Sequence, residues 1–270
     1  MNFKENCMSY WLPKLIEIGV PTPKTIIIDM NKVDDKFVKA INKIFWMKDP
    51  TKEETEALIK FKQILEEMGH RIEYPLFLRS GHSSHKHNWK ETCYVEQQAQ
   101  LISHAQAIAE YNIMANHSSG LPINVWAVRK IIETAPAFKA FNEMPITKEI
   151  RYFFKDHKLV CKHPYWPEHA LEGNVINDKN WKLKLSAMNS LSEEDDEILK
   201  KLTKKVALRF DGYWSIDWLK GKDGNWYAID MATGEDSYHC PECEKGKSMG
   251  KGKGDKPKKE KKKPKKKGKK

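Results

Sequence analysis

Asp217 and Asp230 are the residues of this chain best placed to do chemistry. They lie in Tyr213-Trp214-Ser215-Ile216-Asp217-Trp218-Leu219 and Trp226-Tyr227-Ala228-Ile229-Asp230-Met231-Ala232. Two β-branched and aromatic runs flank Asp223-Gly224, a dipeptide that favours a two-residue hairpin turn. With those turn residues Lys222 pairs with Asn225, and counting back residue by residue sets Asp217 directly opposite Asp230. Alternation along each strand predicts a core face of Trp214, Ile216, Trp218, Tyr227, Ile229 and Met231. The other face carries Ser215, Asp217, Ala228, Asp230 and Ala232. Like charges opposed across a ladder repel, so a cation should sit with them, and a hard divalent ion such as Mg²⁺ with nucleotide phosphates fits carboxylate ligands. A solvated face bearing two acids is the other reading of the same pattern.

Phosphate chemistry also needs cations. Arg79 ends the run Tyr74-Pro75-Leu76-Phe77-Leu78-Arg79 and leads into Ser80-Gly81-His82-Ser83-Ser84-His85-Lys86-His87-Asn88. Small residues, hydroxyls and one lysine are what a phosphate-covering loop uses; a mobile surface loop has the same composition. With three histidines and no apolar anchor, this loop is expected to order only around an anion. Arg151 in Glu149-Ile150-Arg151-Tyr152-Phe153 and Lys162 in Leu159-Val160-Cys161-Lys162-His163 are charges inside apolar strands. Such charges need partners, which makes either a site face or a solvated face of a sheet.

The elements around these residues read as follows. A helix from Tyr10 to Ile18 stops at Gly19, Val20-Pro21-Thr22-Pro23 is extended, and Thr25 to Ile28 is a buried strand. Thr51-Lys52-Glu53-Glu54 is a capping box opening a helix to about Met68, with Gly69 as its stop. Tyr74 to Arg79 is a strand, Gln97 to Asn116 a helix and Ile123 to Ile132 a strand. Glu149 to Lys155 and Lys158 to His163 form strands about a tight Asp156-His157 turn. Ser192 caps a helix running to about Ala207. Irregular alternation of helix and strand indicates α+β architecture.

Taken in order, Gly-Val-Pro-Thr-Pro-Lys-Thr, Tyr-Pro-Leu-Phe-Leu-Arg-Ser, Trp126 to Ile132, Glu149 to Phe154, Ser-Ile-Asp217 and Tyr-Ala-Ile-Asp230 resemble the ATP-grasp superfamily. The nearest likeness is to its divergent phage-type branch and to the cell-division-cycle assembly factors of translation initiation. The resemblance covers roughly residues 10–240. It implies ATP between two α+β lobes, with 1–75 preceding the first lobe, 76–132 and 133–244 forming the lobes, and 245–270 a tail. Arg79 and Lys86 would meet phosphates. Val128 to Ile132, including Arg129, Lys130 and Ile131, would be the hinge that bonds adenine, with Glu133 near the ribose. Arg151 and Lys162 would serve catalysis from the second lobe, and Asp217 and Asp230 would hold Mg²⁺. The implied reaction is ATP-dependent ligation of a carboxylate, from a small molecule or peptide, to an amine through an acyl-phosphate. One departure stands out: the family's last strand ends Glu-x-Asn, and here it ends Asp230-Met231-Ala232. Either an ion is lost or Glu235 or Asp236 substitutes, and the first case favours a non-catalytic nucleotide-binding assembly factor.

The chain has 270 residues, 40% of them hydrophobic, and a net charge of +11. Fifteen lysines against Asp255 and Glu260 in residues 245–270 account for all of that charge, leaving 33 basic and 35 acidic residues elsewhere. Such a tail is expected to be disordered and either to contact polyanions without sequence preference or simply to solubilise. A nucleic-acid-binding protein acting through this tail is a third class of function, and the near-neutral body argues against it. No apolar run spans a membrane; five scattered cysteines and the absence of a leader suggest a reducing, cytoplasmic setting. His239-Cys240-Pro241-Glu242-Cys243 is half of a zinc site, but Cys7, Cys93 and Cys161 supply no second Cys-x-x-Cys. Trp166 and Trp181, in a proline- and glycine-bearing stretch, are candidates to line a substrate cleft.

Overall fold

The computed structural model describes residues 2–115, 120–174, 177–240 and 243. The Lys-rich tail and Asn116 lie outside them. Helices α1 (Phe3–Asn6) and α2 (Met8–Glu17) precede strand β1 (Thr25–Asp29). Helices α3 (Met30–Val33), α4 (Lys36–Phe45) and α5 (Lys52–Ile72) lead to β2 (Leu76–Ser80), β3 (Tyr94–Val95), α6 (Leu101–Met114) and β4 (Val125–Lys130). Then come β5 (Phe138–Ala140), β6 (Met144–Ile146), β7 (Glu149–Lys155), β8 (Lys158–Pro164), α7 (Glu168–Leu171) and α8 (Trp181–Asn189). Helix α9 (Glu193–Ala207) and strands β9 (Tyr213–Lys220) and β10 (Trp226–Thr233) finish the second lobe.

Two antiparallel sheets, ordered β1-β4-β2-β3 and β10-β9-β7-β8, carry the lobes. The period of two decides what each face does. In the first sheet Ile28, Leu76, Leu78, Trp126 and Val128 pack on Phe61 and Leu65 of α5 and Leu101 and Ile108 of α6. Phe77, Arg79 and Arg129 take the other face. In the second, Ile150, Tyr152, Phe154, Trp214, Ile216 and Trp218 pack on Leu199 and Val206 of α9, which turns Glu149, Arg151 and Asp217 the opposite way. The cleft lies between these two free faces.

Helix α5 begins as its sequence requires: Thr51 Oγ1 accepts from the Glu54 N–H, and Glu54 Oε2 accepts from the Thr51 N–H at 2.7 Å. It does not stop at Gly69 but runs to Ile72. Gly69 is there for space, since a Cβ would collide with the Tyr74 hydroxyl. The Asp156-His157 turn forms with both residues at positive φ. Two further results concern the chain's start. Strand β1 pairs with β4, so the division expected at residue 75 cuts through one sheet. Met8, Trp11, Leu12 and Leu15 of α2 lie in the core of the second lobe, not the first. Each such buried side chain contributes about 1.5–3 kcal/mol. A third apolar cluster joins the β5–β6 hairpin to Trp166, Leu171 and Leu185. None of the described helices is long and apolar enough to cross a membrane.

Candidate nucleotide-binding site

The β9–β10 hairpin places its acids by a route the sequence did not suggest. Asp223-Gly224 does not form a two-residue turn. Strand pairing ends at Trp226–Lys220, leaving a five-residue loop closed by the Gly221 N–H to the Asn225 carbonyl at 2.8 Å. Asp223 holds that loop by accepting from the Asn225 N–H, the Asn225 amide and Tyr227 Oη, an Asx arrangement. The register is therefore one residue off the expected one near the turn. A bulge between Ala228 and Asp230 then restores it, so Asp217 does lie opposite Asp230. The bulge exchanges faces in between: Ala228 belongs to the core with Trp218, and Ile229 lines the cleft with Leu219.

The cations that offset the opposed acids are guanidinium groups. Arg151 Nε and Nη2 donate to Asp217 Oδ1 and Oδ2 at 2.7 and 2.8 Å, a bidentate pair in which the Asp217 side chain is only 4% exposed. Arg79 Nη1 donates to Asp230 Oδ1 at 3.1 Å, and the Asp230 side chain remains 44% exposed. One acid is thus sealed and the other open to the cleft.

From the first lobe Arg79 and Arg129, on neighbouring strands and both buried, project to the same face. Arg129 Nε donates to Thr25 Oγ1 and Nη1 to the bulged Ile229 carbonyl at 2.8 Å. Its Nη2 is buried without a partner among the described residues. Burial, with Arg79 alongside and Asp230 opposing, pulls the Arg129 guanidinium down to about 9, which leaves it charged at neutral pH and short of one anion.

Lys86 lies 3.4 Å from Glu149 Oε2 and 3.9 Å above the Tyr165 ring. Burial opposes its charge, but Glu149 and Tyr165 overcome that and raise its pKa. Its loop does have anchors. His85 stacks on Tyr111 at 3.8 Å and His87 on Phe141 at 4.2 Å; Ser80 Oγ accepts from the N–H groups of His82 and Ser83. His85 and His87 act as stacking rings here, His82 Nε2 bonds the Phe3 carbonyl at 2.8 Å, and burial lowers the pKa of all three. Expecting order only around an anion overlooks that use of histidine.

A family model, the ATP-grasp domain of R-2-K clade family 3, matches residues 67–245. The chain belongs to this family. Among solved structures, C-terminally truncated Cdc123 from Schizosaccharomyces pombe superposes with a TM-score of 0.53 at 13% identity, covering 86% of this chain and 85% of that one. A further Cdc123 structure from the same organism gives 0.50 at 14%, covering 85% and 83%. D-alanine–D-alanine ligase from Bacillus anthracis complexed with ATP gives 0.44 at 15%, with 85% of this chain spanning 55% of that one. A comparison with curated proteins finds no match.

ATP-grasp proteins bind ATP, typically with Mg²⁺, and the residues present differ in how well they suit each. The cleft has a volume of about 670 Å³, within the range of ligand sites. The unpartnered Arg129 nitrogen suits an anionic oxygen, so a nucleotide fits. The ion is a different matter. Asp217 has both oxygens committed to Arg151, so an ion shared by the two aspartates does not fit this arrangement, whereas the exposed carboxylate of Asp230 suits a cation. Nor does Asp236 substitute: it accepts from the Asn2 N–H, Asn6 Nδ2 and Thr233 Oγ1, and neither it nor Glu235 lines the cleft.

Lys130, Ile131, Ile132 and Thr134 line the cleft where the chain leaves the first lobe. Glu133 does not; its carbonyl accepts from the Lys222 N–H at 2.8 Å. Lys162 is also elsewhere. Arg151 pairs with His163 and Tyr152 with Lys162, so Lys162 points to the helix face and there meets Asp196. Adjacent strands share faces only between paired residues; the Asp156-His157 turn alone would pair Lys162 with Arg151, and the register shift between Phe153 and Phe154 separates them. Trp166 is buried beneath the site, donating to Glu149 Oε1, and Trp181 packs on Phe138; from this stretch it is Tyr165 that lines the cleft, alongside Phe77, Trp89, Tyr94 and Tyr111. Neither Tyr165 nor Glu149 stands out in the sequence as a site residue. The Glu149–Lys86 pair has no signal in local spacing.

Proposed function

We propose that this chain binds Mg·ATP in the interlobe cleft and is an ATP-dependent carboxylate–amine ligase, the carboxylate taking the γ-phosphoryl group before an amine displaces phosphate. One observation carries the nucleotide: Arg79 and Arg129 lie buried side by side with a single half-exposed counter-ion and one guanidinium nitrogen unpartnered among the described residues. Buried charge without full compensation is costly, and phosphate oxygens would supply the missing acceptors. Arg79 and Arg129 would bind the phosphates with Lys86, and residues 130–132 would meet the base. Asp230 would hold the ion, whose chemistry is to neutralise charge on the transferring group. Arg151 does not itself line the cleft, and its part would be to fix Asp217 in the wall.

A second reading, a non-catalytic nucleotide-binding assembly factor, is favoured by the sealed Asp217–Arg151 pair and by Ala232. The two are separated by incubating the protein with Mg·ATP and a panel of amino acids and peptides, with ADP and products detected by mass spectrometry. Amine-dependent ADP formation supports the ligase. Tight ATP binding in calorimetry without turnover across the panel supports the factor. Absence of ATP binding refutes both.

A further inference from the structure

The cysteine and histidine left over from the nucleotide site converge at the far edge of the second sheet. Cys161 and His163 stand two apart on β8, hence on one face, the face of Arg151. His239 and Cys243 come from the segment that follows β10 and returns over that face. One ligand atom from each of the four lies within 4.8 Å of all the others, and all four residues are partly buried. Cys161 Sγ and His239 Nε2 are 3.1 Å apart, and the His163 and His239 rings meet edge to face at 4.7 Å. His163 Nε2 is buried with no hydrogen-bond partner among the described residues. A ring nitrogen left bare beside two thiols and a second imidazole is a ligand set lacking its ion.

We propose that Cys161, His163, His239 and Cys243 bind a structural zinc ion. Two sulfurs and two nitrogens form a closed Cys₂His₂ set, the pattern of structural zinc, whose bonds of about 2.0–2.3 Å place tetrahedral ligands roughly 3.3–3.8 Å apart. The set needs to contract by about 1 Å at its widest to meet that geometry. Hard cations prefer oxygen donors, and no carboxylate belongs to the group. The second ligand pair is Cys-x-His on a strand, not Cys-x-x-Cys, which is why cysteine spacing alone shows half a site.

The ion would fasten His239 and Cys243, and the backbone leading to them, to the sheet. Within that backbone the Tyr238 carbonyl accepts from Arg151 Nη1 at 3.2 Å, and Tyr238 Oη bonds His169. The zinc would therefore hold a lid of backbone on the arginine that seals Asp217. It is distinct from the site of the nucleotide's own ion.

The test uses the full chain, purified after growth with added zinc. Elemental analysis should find one zinc per chain in the unaltered protein and in Cys240→Ser, and near-complete loss in Cys161→Ser and Cys243→Ser. Cys243→Ser changes only the terminal segment, so it reports on metal even where Cys161→Ser fails to fold. Cobalt(II) replacing zinc should give the visible bands of a tetrahedral thiolate site, absent in Cys243→Ser. A chelator should accelerate hydrogen exchange at 237–240. Three results overturn the proposal: no bound zinc in the unaltered protein; metal lost in Cys240→Ser but kept in Cys243→Ser; or an intact mass showing Cys161 and Cys243 oxidised to a disulfide in the freshly isolated protein.

Discussion

Replacing Asp217 by Asn tests whether the opposed acids are a strained pair or a paired one. Considered as two carboxylates facing each other, the hairpin should become steadier when one charge is removed. The structure reverses that sign. Arg151 holds Asp217 through two bonds of 2.7 and 2.8 Å, with the two side chains 17% and 4% exposed. Removing one member of a buried pair leaves an uncompensated charge and costs about 3–5 kcal/mol. Arg151 keeps the Tyr238 carbonyl and the face of Tyr165 at 4.9 Å, so about 3 kcal/mol, the lower end of that range, is expected. For a domain of this size the melting temperature should fall by about 6–12 °C, read by circular dichroism. Arg151→Met combined with Asp217→Leu should recover most of the loss, because apolar replacement of both partners is often neutral. An unchanged or raised melting temperature in Asp217→Asn would refute the pairing and return the site to two repelling carboxylates.

Arg129→Met should leave the melting temperature unchanged or higher, since it removes a buried charge lacking one partner. It should weaken ATP binding roughly 10- to 150-fold, the value of one or more charged hydrogen bonds of about 1.5–3 kcal/mol, as measured by calorimetry. Lys162→Met should leave ATP affinity unchanged, because Lys162 bonds Asp196 on the helix face. Burial raises the Asp196 carboxyl, but Lys162, Tyr152 and Lys200 outweigh it and bring it down to about 2. A carboxyl lower in the folded than in the unfolded state, where it is about 3.9, stabilises above pH 4 and loses that contribution as pH falls towards 2. Asp196→Asn should thus cost at most about 2.6 kcal/mol at pH 7 in urea denaturation and almost nothing at pH 2; a deficit independent of pH would exclude this origin. A chain ending at Glu244 should keep its melting temperature and ATP affinity yet lose retention on heparin at low salt, and retention that survives would locate a basic face on the lobes.

Legibility in the sequence follows the range of the interactions. The caps at Thr51 and Ser192 and the Asp156-His157 turn depend on neighbours a few residues away, and all can be read. The opposition of Asp217 and Asp230 follows from the sequence through an incorrect turn: the five-residue loop and the bulge at Ile229 displace the register twice in opposite senses. Expecting Lys162 beside Arg151 follows from the two-residue turn, which pairs the two; the register shift between Phe153 and Phe154, with no local signal, moves Lys162 to the other face. The partners themselves are beyond reach. Arg151 with Asp217, Arg79 with Asp230 and Lys86 with Glu149 join residues far apart in the chain, and only the packed sheets decide which charge meets which. The β5–β6 hairpin and α8 carry weak periodicity and take their form from the cluster around Trp166.

The position of α2 bears on how the chain is built. Trp11, Leu12 and Leu15 complete a core whose other walls include Trp214, Ile216 and Trp226, and Asn6 Oδ1 accepts from the N–H of Thr233. A ribosome delivers those opening residues first and their neighbours some two hundred residues later. Until β9 and β10 emerge, an amphipathic helix with a buried-type tryptophan stays uncovered on the nascent chain, while the first lobe already has most of its own strands. Closing so long a loop is entropically slow, so the second lobe should be last to form and first to open. Removing α2, or burdening it with a bulky N-terminal fusion, should injure the far lobe and spare the near one, the reverse of what linear position suggests.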